Sequence, residues 1–264
     1  MILKKYLKIY YHLLRISFSK AASFRFDFYF RTIMDIFYYG ATLLFFEVIY
    51  GHTDTLGGWS REQTHVFLAS YFLLDSLDMS IFSTNLWWLP LHINRGDLDM
   101  YLTKPVNSFF YLTLKEFQVG SFINVFFSYG LLIYFWNQLT PELGWMELLI
   151  HHILLISGLL LFNFIRIFFL ISSFWTGSPR GADELFLSTT RLATYPEQIY
   201  PSWMRKIMLT LLPISFMLSV PHQIIFGQKS LIWIVISLGV TLVSGFCAWK
   251  IWNLGLKRYA SASS

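Results

Sequence analysis

Residues 146–172 read MELLIHHILLISGLLLFNFIRIFFLIS, and this stretch decides the fold class. A helix needs about 20 mostly apolar residues to cross the hydrocarbon core of a bilayer. The stretch meets that length with only Glu147 and Arg166 as formal charges. It therefore predicts a transmembrane helix. The same criterion finds four more candidate spans, at 32–50, 64–88, 110–136 and 230–252.

The composition of the whole chain agrees with a membrane protein. Of its 264 residues, 55% are hydrophobic and 13% are charged, whereas soluble domains carry about 25% charged residues. A surface this apolar excludes a dispersed soluble protein, and the hydrophobic content excludes intrinsic disorder. We predict an all-α integral membrane protein whose single transmembrane domain occupies residues 1–264.

The stretch between the fourth candidate span and the last one allows two topologies. Residues 206–226 are apolar but contain Pro213 and Pro221, whereas residues 180–198 are more polar. In one topology 206–226 is the fifth span. In the other, 180–198 crosses inside the protein while 206–226 re-enters the membrane as a hairpin, which is tolerated where protein or water covers the backbone. Both versions give six transmembrane helices and place both termini on one side.

Positive charges predict the orientation of the chain. Lys and Arg are concentrated before the first span, between the second and third spans, and after the last. Because cytoplasmic flanks carry such an excess, both termini are predicted to be cytoplasmic. Residues 2–20 alternate polar and apolar side chains at helical spacing, which predicts an interfacial amphipathic helix. The alternative is a basic flank of the first span. Cations placed in short flanks favour membrane orientation over a nucleic-acid partner.

Several catalytic and binding motifs are missing from the sequence. The nearest approach to a phosphate-binding P-loop, GQKS at 227–230, lacks the adjacent Gly-Lys pair and the upstream glycine. The single cysteine, Cys247, excludes an intramolecular disulfide and a cysteine-based zinc site. His151 and His152 point to different helix faces, and we interpret both as outer-interface residues. The sequence therefore predicts no ATPase site, no catalytic residue and no metal site.

Two carboxylates lie near the middle of the second candidate span. Asp75 and Asp78 are three residues apart and share a helix face, while Ser76 and Ser80 follow on a neighbouring face. Ionisable side chains inside spans face the bundle interior or water. The group therefore predicts either part of a translocation path or a structural hydrogen-bond network. Interfacial solvation accounts for the other charged residues of the spans, which lie nearer the span ends: Asp35, Glu47 and Arg166.

The segment after the second span, residues 92–106, reads HINRGDLDMYLTKPV. Asn94 and Gly96 predict a turn, and Asp97 suits the first turn of a short helix, where negative charge is favoured. Pro105 would end that helix. The pattern predicts either a rigid docking surface in the cytoplasm or an ordinary connecting loop.

Two motifs resemble those of one transporter family. R-G-D-L-D-x-x-L-x-K-P-V, at 95–106, resembles the segment after the second span of ABC type-2 exporter permeases, especially a subfamily of small stand-alone six-span permeases. YPEQIYP at 195–201, followed by LTLLP at 209–213, is similar to a second motif pair of that subfamily. The resemblance covers nearly the whole chain.

The resemblance implies a permease subunit of an ATP-driven exporter in the plasma (inner) membrane. Residues 92–105 would form a coupling helix that docks on a separate ATPase subunit, which binds ATP and Mg²⁺, so this chain binds no cofactor itself. Residues 202–226 would form an outer re-entrant hairpin. The implied coupling residues are Arg95, Gly96, Asp97, Asp99, Tyr101, Lys104 and Pro105, and the implied hairpin residues are Tyr195, Pro196, Pro201 and Pro213.

The implied partners are the ATPase, membrane lipid, and a second permease that is either an identical copy or a related chain. An alternative function is an ion- or proton-coupled secondary transporter that uses Asp75 and Asp78. Paired broken helices in inverted repeats would favour it, and we find no such halves in the sequence.

Overall fold

The computed structural model describes residues 2–23, 25–139, 143–177 and 179–259. These residues are mainly helical, and their only β pairing is a single bridge between Leu56 and Trp59. In chain order, the helices are α1 (Ile2–Ser23), α2 (Arg25–Tyr50), α3 (Arg61–Asp78), α4 (Thr84–Trp87), α5 (Leu89–Arg95), α6 (Asp99–Leu102), α7 (Ser108–Leu114), α8 (Val119–Gln138), α9 (Trp145–Ile171), α10 (Ser173–Thr176), α11 (Pro179–Thr190), α12 (Ser202–Thr210), α13 (Ser219–Ile225) and α14 (Ile232–Arg258).

Five helical stretches of the described residues are long and apolar enough to cross a membrane. This confirms an all-helical chain with several apolar spans. The stretches are Tyr29–Tyr50, Arg61–Arg95, Val119–Gln138, Trp145–Thr176 and Ile232–Arg258.

The second of these stretches, Arg61–Arg95, changes from α-helical to π-helical hydrogen bonding about halfway along. Between α3 and α4 lies a π-helical segment, Met79–Ser83. Such wide turns are uncommon and often mark functional positions. The carbonyl group of Ser80 in this segment accepts a hydrogen bond from the amide of Gln118, at 2.8 Å.

The span predicted at 110–136 is divided, because α7 ends at Leu114 and α8 begins only at Val119. The amide side chain of Asn85 bridges the break: its Nδ2 donates to the carbonyl of Glu116 at 2.8 Å, and its Oδ1 accepts from the amide of Glu116 at 2.9 Å. Non-helical backbone near membrane depth needs such partners. The break is therefore compatible with an otherwise apolar segment.

Residues 206–226 do not form one continuous helix. Helix α12 ends at Thr210, a 3₁₀ turn covers Ile214–Phe216, and α13 starts at Ser219. Pro213 lies in the break, where its missing N–H removes no helical hydrogen bond. In the other candidate segment, 180–198, α11 runs to Thr190 and continues in short 3₁₀ turns.

Helix α9 lies at the centre of the packing, with contacts to α3, α11, α13 and α14, while α8 packs on α2 and α3. At Gly158 in α9, a side-chain Cβ atom would overlap the carbonyl oxygen of Met217, just before α13. Glycine is therefore required where the broken segment crosses α9.

The helix predicted over 2–20 is present as α1. Its side chains Leu7, Ile16 and Phe18 are exposed, as expected of a face that contacts lipid. Two of the hydrogen bonds that attach this helix to the rest of the chain have backbone donors: the Tyr6 hydroxyl accepts from the amide of Asn107, and the Ser17 hydroxyl accepts from the amide of Phe117, each at 3.0 Å.

Candidate translocation cleft and docking segment

A buried ion pair joins α3 to α9. Arg166 Nη2 lies 2.7 Å from Asp78 Oδ2 and Nη1 lies 3.2 Å from Oδ1, so the guanidinium contacts both carboxylate oxygens. Asn163 Nδ2 donates to Asp78 Oδ1 at 2.9 Å. The interpretation of Arg166 as an interfacial residue is wrong, because the carboxylate supplies a bidentate partner that compensates its burial.

The neighbouring carboxylate, Asp75, lies in a different environment. It is half-buried, and its Oδ2 accepts a hydrogen bond from the Tyr39 hydroxyl at 3.2 Å. Asp75, Asp78 and Arg166 all line a cleft of about 460 Å³ between α2, α3, α9 and α11. The rest of the cleft wall includes aromatic and charged side chains, among them Tyr38, Tyr71, Phe162, Phe186, Arg191 and Tyr195.

The two serines grouped with these carboxylates do not line the cleft. Ser76 Oγ lies 3.0 Å from Ser128 Oγ of α8, and Ser80 donates to the carbonyl oxygen of Ser76. Both serines are buried in contacts between helices. The structure therefore separates the carboxylate face, which lines the cleft, from the serine face, which packs on α8.

The remaining carboxylates of the spans also have partners. Asn124 Nδ2 donates to Asp35 Oδ2 at 2.6 Å. Glu47, at the end of α2, is paired with Arg61 and lies 2.7 Å from His65 Nε2. These two groups connect α2 to α8 and to the start of α3.

A histidine–serine cluster lies nearer the N-terminal end of α9 than the cleft does. Ser70 Oγ lies 2.8 Å from His151 Nε2 and 3.0 Å from His222 Nε2. His151 is 1% exposed, so its assignment to the outer interface is wrong. Its neighbour His152 points away and is half-buried. A sequence search cannot find this cluster, because its members come from α3, α9 and α13.

The segment at 92–105 is less helical than predicted. Helix α5 ends at Arg95, Gly96 adopts a left-handed conformation with φ of 78°, and α6 covers only Asp99–Leu102. Gly96, in its left-handed conformation, ends the helical stretch Arg61–Arg95 and starts the turn. The short helix thus begins after Asp97, whose amide instead caps α5 by donating to the His92 carbonyl at 3.0 Å.

One set of side chains holds this segment in place. Asp97 Oδ2 and the Tyr101 hydroxyl each lie 3.5 Å from a ring nitrogen of His92, and Lys115 Nζ donates to the Tyr101 hydroxyl at 3.0 Å. From α1, Lys5 Nζ donates to the Pro105 carbonyl at 2.9 Å. The segment is therefore fixed to α1, to α5 and to Lys115 at the end of α7.

The C-terminal end of α14 also contacts this segment. Burial raises the pKa of the Tyr259 hydroxyl, and the neighbouring Asp99 carboxylate raises that pKa further. Leu98 is fully buried beneath them. Asp99 thus faces the protein and belongs to the supporting contacts.

A second set of side chains in this segment is exposed. Arg95, Lys104 and Pro105 are exposed, and Met100 is 60% exposed. Met100 is absent from the coupling residues that the family motif implies. We call Arg95, Met100 and Lys104 the docking patch.

The YPEQIYP motif directly precedes the broken segment α12–α13, and Pro213 lies within that segment. Tyr195 lines the cleft and packs on Phe46 with ring centroids 5.8 Å apart. Pro196 is buried, Pro201 directly precedes α12, and Pro213 follows it. These residues thus lie where the chain changes direction between α11, α12 and α13.

Within the described residues, no group of three or more His, Cys, Asp or Glu side chains could hold a metal ion. Long apolar helices, charged groups lining a cleft and a supported surface loop together define a membrane transport protein. The family described as ABC-2 family transporter protein matches residues 36–263, so the chain belongs to that family and is a multi-pass membrane permease. No curated protein and no solved structure gives a match.

Proposed function

We propose that this chain is the transmembrane subunit of an ATP-driven exporter whose ATPase is a separate subunit. One observation carries the proposal: the single helical stretch Arg61–Arg95 contains Asp75 and Asp78 at the cleft and ends at the docking patch. A force applied to the patch would therefore be transmitted along a helix to the cleft wall. Permeases of this family generally carry no ATPase site of their own.

The proposed topology has six spans, with both termini in the cytoplasm and the chain in the plasma (inner) membrane. The fifth span would be α11 with the 3₁₀ turns that follow it, and 202–226 would be an outer re-entrant hairpin. The two helices of that segment, separated at Pro213, support this version. Arg166 and the ring of Phe186, 4.8 Å apart, would pack the polar α11 against α9.

In the proposed assembly, two permeases, identical or related, enclose the substrate path and two ATPase subunits bind ATP and Mg²⁺. The open side of the cleft, lined by Tyr38 and Leu187, would be closed by the second permease. The exposure of both side chains supports this arrangement, with Tyr38 47% and Leu187 41% exposed.

A secondary transporter coupled through Asp75 and Asp78 is less well supported. Coupling to an ion or proton needs carboxylates that can bind and release it. Asp78 is already compensated by Arg166 and Asn163, which favours a structural ion pair.

The proposal is tested by purifying the tagged chain from its native membranes and measuring the amount of bound ATPase subunit and its ATP hydrolysis. Met100→Glu and Lys104→Glu should reduce the bound ATPase at least tenfold, because they place negative charge in the docking patch. The matched control is Met146→Glu, since Met146 is similarly exposed but lies in the first turn of α9, where an acidic side chain is tolerated.

If no nucleotide-binding subunit is present in the purified complex, the exporter assignment is wrong. If one is present but all three variants retain it equally, the exporter assignment stands and the docking patch is elsewhere.

A further inference from the structure

We propose that the substrate is a phosphate-bearing lipid drawn sideways from the inner leaflet. This inference rests on the proposed function and adds the substrate class and its route. It follows from three neighbouring clefts that form one groove on the surface of the bundle.

The three clefts are connected through shared wall residues. The first, of about 340 Å³, lies between α1, α4 and the start of α8 and includes Lys20, Arg31 and Trp88. The second, of about 360 Å³, shares Arg31, Thr84 and Trp88 with it. The second and third clefts share four wall residues, Met79, Arg166, Phe186 and Leu187. The groove therefore runs from α1 to Asp75.

The mouth of the groove lies at the depth of lipid headgroups. One of its walls is α1, contributing Ser17, Lys20 and Ala21. Because an amphipathic interfacial helix lies at the boundary of headgroups and acyl chains, a mouth beside it opens to lipid. A cytosolic solute would need an entrance beyond that helix.

The charges at the mouth suit a phosphate. Lys20 and Arg31 line it together with one carboxylate, Glu116, so the formal charge of these groups is positive. Lys20 and Glu116 are paired at 3.4 Å and both are well exposed. Such exposed pairs contribute little stability, and a lipid phosphate can replace the carboxylate at low cost.

Further along, the groove combines a polar floor with an apolar edge. Arg166, which is paired with Asp78, lines the second and third clefts. Asp183 also lines the second cleft, and Arg191 and Asp75 line the third, so cations and carboxylates are mixed along the floor. The exposed side chains along the edge are Met79, Trp87 and Leu187. A headgroup could follow the charged floor while acyl chains remain against the apolar edge. This combination matches an amphipath better than a fully polar solute.

The test uses photo-crosslinking in vesicles and needs no ATPase. Benzoylphenylalanine replaces Leu187, where the second and third clefts meet. The protein is reconstituted with tritiated dioleoylphosphatidylglycerol in a background of digalactosyldiacylglycerol, which carries no phosphate. A second crosslinker replaces Leu242, which is 74% exposed on α14 and lines none of the three clefts. Capture means the amount of tritiated lipid crosslinked to the protein. Capture at Leu242 measures contact with bulk lipid and shows that the protein is inserted in the vesicle membrane.

The combined substitution Lys20→Gln and Arg31→Gln should lower capture at Leu187 up to about 30-fold, because each cation contributes to phosphate binding. Capture at Leu242 should not change. The matched control, Lys250→Gln with Lys257→Gln, removes two exposed cations of α14 outside the groove and should leave both captures unchanged.

Equal capture at Leu187 in both paired variants would overturn the proposal. So would competition by dioleoylglycerol as strong as that by unlabelled phosphatidylglycerol. Inhibition by millimolar inorganic phosphate alone would indicate a site for free phosphate and would also overturn it. If capture fails while the ATPase still binds, the exporter remains and only the substrate class is wrong. If capture succeeds but no ATPase subunit co-purifies with the chain from native membranes, the groove binds lipid and the exporter assignment fails.

Discussion

At the scale of single residues, the contact between Asp78 and Arg166 connects two of the longest apolar helices. Both side chains are nearly removed from solvent, and Asn163 adds a third polar group. A buried pair adds little net stability compared with apolar packing, but a lone buried charge is costly. The pair therefore matters most when one partner is removed.

We expect Asp78→Asn and Arg166→Gln each to lower the free energy of unfolding by about 3–5 kcal/mol, because each leaves one charge without its partner. The combined substitution should be less destabilising than the sum of the two, since no lone charge remains. Thermal unfolding of the purified protein in one detergent measures all three variants. Additive losses would contradict a direct pair.

Asp75 differs from Asp78 in its partner: it accepts a hydrogen bond from the Tyr39 hydroxyl, whereas Asp78 is paired with Arg166. Among the described residues, no cation forms a salt bridge with Asp75. Its position in the cleft wall makes it the carboxylate more exposed to a transported molecule. The assignment of Asp75 and Asp78 to a translocation path thus stays a prediction, with unequal roles for the two.

At the scale of helices, two irregular segments support each other. The π segment Met79–Ser83 lies beside the break between α7 and α8. The Ser80 carbonyl accepts from the amide of Gln118, and the Asn85 side chain bonds to both backbone groups of Glu116. Irregular backbone at this depth is stable only with such partners. The second and third apolar stretches are therefore held in a fixed register.

Asn85→Leu keeps the branched shape and the number of side-chain heavy atoms but removes both hydrogen bonds to Glu116. The variant should lose about 2–4 kcal/mol of stability, because a buried backbone donor and a buried acceptor become unsatisfied. The control is Asn253→Leu, since that amide donates only to the carbonyl of Trp249 in its own helix. Thermal unfolding measures the stability of both variants. If Asn85→Leu has the same midpoint as Asn253→Leu, water replaces the Asn85 amide.

At the scale of the whole molecule, the position of the broken segment α12–α13 determines the topology. Its last helix packs against α9 and α14, and His222 contacts Ser70 of α3. These contacts cover the backbone of the segment on several sides. An outer hairpin, as proposed, would therefore be shielded from lipid where it is not helical.

Cysteine labelling checks this topology. In a Cys247→Ser background, Asp54→Cys and Ser202→Cys should react with a membrane-impermeant maleimide in intact cells. Lys104→Cys and Lys257→Cys should react only after permeabilisation, because the proposed topology places both on the cytoplasmic side. All four positions are exposed. Labelling of Ser202→Cys only after permeabilisation would rule out an outer hairpin.

Much of the fold could be predicted because its signals are local. The apolar stretches, the helix at the N terminus and the family motifs are each read within one continuous segment, and the transfer of apolar residues into a bilayer adds up along that segment. The break at residues 115–118 was not predicted, since the groups that stabilise it, from Asn85 and Ser80, belong to another helix.

The sequence by itself determined that this is a multi-span membrane protein and which family it belongs to. Only the tertiary structure decided that Arg166 pairs with Asp78, that His151 is buried beside Ser70, and that Met100 is exposed. The physical reason is that hydropathy depends on the residues of one segment, whereas these contacts depend on the rotation and depth of each helix. Those are set by packing between segments far apart in the chain.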